Sequence, residues 1–75
     1  MLRFGRFKFV IYPQDHRPAH VHVLAAGAEA KFDIQTGKCL AVHGFSKPTL
    51  TQLSEVVVKN RDLLIETWEE YEGES

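Results

Sequence analysis

Asp15, His16, His20 and His22 fall within eight consecutive positions, Asp15-His16-Arg17-Pro18-Ala19-His20-Val21-His22, which hold three of the chain's four histidines. Histidine has an unperturbed pKa near neutrality, so it serves as acid, base or metal ligand. Two chemistries follow from these residue types. In the first, His20 and His22, two residues apart on a strand, lean toward one divalent transition metal, with His16 as third ligand and Asp15 completing or orienting the shell. The spacing matches no standard zinc signature. In the second, no cofactor is needed. The imidazoles act as general acid and base on a phosphodiester, and Lys31, Arg6 or Lys8 binds the substrate and stabilises developing negative charge. The bland alternative is a pair of polar side chains on the wet side of a sheet.

The elements that position these residues are legible from hydrophobic periodicity. Phe7, Phe9 and Ile11 alternate with Lys8, which predicts a strand over about 3–12. Phe4 is out of phase with Phe7, and Gly5 between them is read as a bulge. Pro13 and Pro18 bracket a loop that can fold Asp15 and His16 back over the next strand. That strand, about 19–24, puts Ala19, Val21 and Val23 on one face and His20 and His22 on the other. A third strand over 28–34 alternates Ala28, Ala30, Phe32 and Ile34 with Glu29, Lys31 and Asp33. Gln35-Thr36-Gly37-Lys38 reads as a hairpin turn, and 38–42 as a short fourth strand.

From there the period lengthens. Leu50, Leu53, Val57, Leu64, Trp68 and Tyr71 form one helical stripe, with Ser46 as N-cap and Pro48 in the first turn. A single helix over 47–71 would be ~37 Å long at 1.5 Å per residue, so a break near Asn60 is the alternative to one rod. The expected fold is a two-layer α+β domain spanning 1–75, an antiparallel sheet of three to four strands with one face covered by the C-terminal helix. If Val21 and Val23 face the helix, His20 and His22 lie on the open face with Glu29, Lys31 and Asp33, and with Arg6 and Lys8 from the first strand.

Size and charge restrict the setting. Seventy-five residues are near the lower limit for a core that stabilises itself, so a partner protein or a homodimer would help. One cysteine, Cys39, excludes an internal disulfide and a Cys-rich zinc site, and it reads as a small buried or edge residue. No apolar run approaches the ~20 residues of a membrane span, and the N-terminus does not read as a signal peptide, so no membrane role and a cytoplasmic location are expected. Net charge is +4 over residues 1–47 and −5 over 48–75, which allows a modestly basic, nucleic-acid-facing first half. His43, alone before Gly44, reads as structural or surface.

The motifs Ile11-Tyr12…Asp15-His16-x-Pro18-x-His20-x-His22, Asp33-Ile34-x-Thr36-Gly37…Leu40 and Asn60-Arg61-x-Leu63-Leu64…Trp68 resemble a family of short bacterial and phage-borne proteins described as domain of unknown function 4160. The resemblance covers roughly 7–71. Ala19 stands where that family usually has a second proline, and Thr67 where asparagine is commoner; all four titratable members of the cluster are kept. The resemblance implies that Asp15, His16, His20 and His22 form the site, without supplying a reaction. It also implies a small partner protein encoded by an adjacent gene, in what has been proposed to be a toxin–antitoxin module. Three functions are therefore expected as alternatives: a toxin-type protein acting on nucleic acid through the cluster, a non-catalytic interaction module of antitoxin-like or regulatory type, or a metal-binding domain.

Overall fold

The computed structural model describes residues 2–12 and 18–73, with side chains over 3–12 and 18–70. Five strands precede two helices: β1 (Leu2–Phe4), β2 (Phe7–Val10), β3 (His20–Ala25), β4 (Ala28–Asp33), β5 (Cys39–His43), α1 (Lys47–Lys59) and α2 (Arg61–Gly73). The strands form one antiparallel sheet in sequence order, so the class is α+β.

The expectation of three to four strands is corrected to five, because the segment read as one strand over 3–12 is a hairpin. Gly5 takes a positive φ of 55°, which costs glycine little, and the chain reverses through Gly5-Arg6. Phe4 then pairs directly with Phe7 and Leu2 with Phe9. This pairing accounts for the phase slip between Phe4 and Phe7: across a hairpin, residues in register share a face whatever their spacing in sequence. The Phe4 and Phe9 rings meet edge to face at 5.7 Å.

β3 and β4 form the centre of the sheet, with Val21 opposite Phe32 and Val23 opposite Ala30. Phe9 on β2 stands opposite Val23. These five side chains are at most 1 % exposed and form the core with Ile34, Leu53, Val57, Leu64 and Trp68. Alternation puts Arg3, Lys8, Val10, His20, His22, Leu24, Glu29, Lys31, Asp33, Ala41 and His43 on the opposite face.

The helix breaks at Asn60. The Asn60 N–H donates to the carbonyls of Val56 and Val57, its side-chain amide donates to Val56 O at 2.8 Å, and its own carbonyl accepts from Leu64 N at 3.0 Å. Asn60 therefore closes α1 and opens α2, satisfying terminal backbone groups of both helices. At the other end of α1, the Ser46 hydroxyl accepts from Thr49 N. Gly37, at φ 77°, is held where an added Cβ would meet Val58 Cγ2 at 2.6 Å, and its carbonyl accepts from the Ser54 hydroxyl at 2.6 Å. These contacts lock the β4–β5 turn onto α1. No helix among the described residues is long and apolar enough to cross a membrane.

Candidate functional site

The two histidines of β3 share a face yet occupy different surroundings. His20, the first residue of the strand, is 6 % exposed. Its Nδ1 lies 2.7 Å from the Pro18 carbonyl oxygen. A carbonyl only accepts, so Nδ1 carries the proton, and in the neutral ring the lone pair is on Nε2. The Trp68 ring of α2 lies 5.2 Å from the His20 ring. This corrects one expectation: the helical layer does reach His20. Alternation along β3 does turn His20 away from Val21, but His20 is the first residue of the strand and α2 carries Trp68 up to it. Trp68 thereby joins the core and meets His20 where β3 begins. The Trp68 indole N–H is buried and has no acceptor among the described residues.

His22 is more open, with its side chain 17 % exposed. Its ring is 5.2 Å from that of His20 and 4.8 Å from that of Tyr12, so Tyr12, His22, His20 and Trp68 form a continuous run of rings. Across the strand His22 is paired with Lys31. Its Nδ1 lies 3.5 Å from Glu29 Oε2, a long contact to a carboxylate that is itself more than half exposed. A contact of that length to an exposed carboxylate adds little stability.

Lys31 and Lys8 are thus on the histidine face, as expected. Arg6 is not. It sits in the β1–β2 turn with its guanidinium carbon 4.5 Å from the centre of the Phe7 ring, a cation–π contact on the core side of the sheet. The bulge reading of Gly5 had kept Arg6 in strand register with Lys8, and the hairpin removes it. Asp33, opposite His20, turns its Oδ1 to the backbone N–H groups of Gln35 and Thr36 at 2.8 and 3.1 Å, so its carboxylate holds the turn. Asp15 and His16 lie outside the described residues. Among the described residues no three of His, Cys, Asp and Glu are grouped to hold a metal ion.

His43, read as structural or surface, is exposed, and it joins the histidine face. His43 is paired with Glu29 across β4 and β5, and with His22, Glu29, Lys31 and Ala41 it lines a shallow groove of about 310 Å³. The signal was present in the strand pattern: Ala41 and His43 are two apart, so a fourth strand in register with 29–31 puts both on the histidine face. Cys39 is partly buried on the edge strand, packed against the core.

The sequence matches the family described as "Domain of unknown function (DUF4160)" over residues 6–69. No curated protein and no solved structure matches the chain.

Proposed function

The chain belongs to this family, and on that premise we propose that it is the acting component of a bacterial two-gene, toxin–antitoxin-type module that works on nucleic acid in the cytoplasm. The observation that carries this reading is the pair of imidazoles 5.2 Å apart with Lys31 directly across the strand from His22. The imidazole at the groove, His22, takes the proton of the attacking hydroxyl and returns it to the leaving oxygen, and His20, enclosed beside it, holds that ring in place. An ammonium beside them stabilises the charge that develops on the phosphoryl oxygens. Asp15 and His16, adjacent in sequence and shared with the family motif, are proposed as further members of the site.

Expression of this chain without the neighbouring gene is the direct test. Growth of a bacterial host should slow, and His22→Ala should restore it without altering the circular dichroism spectrum. Undiminished inhibition by the His20→Ala/His22→Ala double variant would remove the histidines from the activity.

A second reading, a non-catalytic interaction module, is favoured by β5. This edge strand exposes Leu40 at 39 % and Val42 at 48 %. An apolar edge is a template for strand addition by a partner or by a second copy in a homodimer. In that case Val42→Lys abolishes complex formation with the neighbouring gene product, whereas His22→Ala leaves it intact.

A further inference from the structure

We infer that the groove between β3 and β5 binds a phosphate group, with His43 as one of its contacts. The inference rests on the preceding reading for the identity of the polymer that carries the phosphate, but not for the anion site itself.

Strand register builds the groove. Lys31 on β4 stands between His22 on β3 and Ala41 on β5, and His43 follows two residues after Ala41. β3 and β5 are two interstrand spacings apart, ~9.6 Å. The methyl group of Ala41 leaves open the space that the longer His22, Lys31 and His43 side chains surround. Lys31 and the exposed His43 therefore bring an ammonium and an imidazole to one depression, with the His22 ring as its third wall.

Among the described residues the only carboxylate lining it is Glu29, whose Oε2 is 3.5 Å from His22 Nδ1. The other acid on this face, Asp33, has one carboxylate oxygen engaged by two backbone N–H groups. Beyond Leu24 the row through Glu29 continues to Lys8 and Arg3, which pair with each other on β2 and β1. The described part of this face thus presents three permanent cations against two carboxylates. His20 is a poor candidate for direct contact, since it is 6 % exposed and its Nδ1 is committed to Pro18. His43 is exposed.

The shape selects among phosphates. The groove is shallow and open, so it suits a phosphate displayed on a chain better than a small molecule that must be enclosed. Contacts of this kind position a nucleic-acid backbone without reading its sequence. Binding should be independent of base identity and should weaken as salt is raised.

The test uses the full-length, isotopically labelled chain, titrated at fixed ionic strength with inorganic phosphate and separately with a short single-stranded oligouridylate. The imidazole C–H resonances of His22 and His43 should move together and saturate with both probes. His43→Ala and Lys31→Ala should each weaken oligonucleotide binding on the order of tenfold, the usual scale for losing a charge-assisted hydrogen bond. Glu29→Gln should strengthen it. Absence of a saturable His43 shift with either probe, or unchanged affinity in His43→Ala, overturns the site. A response to phosphate but not to the oligonucleotide keeps the anion site and overturns the polymer as its source. If both probes bind but His22→Ala fails to relieve growth inhibition, the toxin reading fails and the phosphate site stands.

Discussion

His20 and His22 are two residues apart, on one strand and one face, and they differ in nearly every physical respect. His20 is enclosed, its tautomer set by the Pro18 carbonyl and its ring beside Trp68. His22 lines an open groove beside a lysine and a carboxylate. Strand alternation decides which face a side chain takes; it does not decide what lies over that face. Coverage comes from the second layer, and here Trp68 of α2 lies beside the first of the two. His20 is thereby the enclosed member of the pair, and His22 the member that lines the groove.

The contrast can be broken most forcefully at Trp68. Trp68→Ala removes the ring beside His20 and leaves a cavity in a small core, and it should cost about 3–5 kcal/mol in urea unfolding. A loss below ~1 kcal/mol would mean that α2 does not enclose His20 in solution. Next in size is His20→Ala, which strips the Pro18 carbonyl of its donor at a part-buried position and should cost about 1–3 kcal/mol. His22→Ala should cost less than ~1 kcal/mol by the same measurement, because its side chain is partly solvated and its contact with Glu29 is long. Equal losses for the two histidines would erase the distinction. The smallest effect is expected for Lys31→Gln, within ~0.5 kcal/mol in stability, even though it should weaken phosphate binding.

Much of this architecture is visible in residue order. Clean alternation over 28–34 gave β4 to within one residue, and the change of period after Gly44 gave the helical region, the Ser46 cap and the weak point at Asn60. What was not visible has physical reasons. A two-residue turn inside an aromatic run looks the same as a bulge until its partner strand is known, so Phe4 and Phe7 were read as out of phase and Arg6 as a strand residue. His43 stood alone in sequence because its neighbours Glu29, Lys31 and His22 arrive from two other strands. The cover over His20 comes from Trp68, 48 positions away in sequence on the last helix, which the pattern of β3 does not encode. The expected places of Asp15 and His16 lie outside the described residues, as does the side chain of Tyr71.

The joint at Asn60 makes the enclosure of His20 a matter of rotational phase. Trp68 lies eight positions after Asn60, and each residue added between them turns the indole about 100° around the axis of α2. Insertion of a single alanine there would carry the ring off the core-facing side and away from His20, with every residue of the histidine motif unchanged. A chain can therefore keep the whole motif and still lose the arrangement, and the count of residues in the last helix is as much a part of the site as the imidazoles.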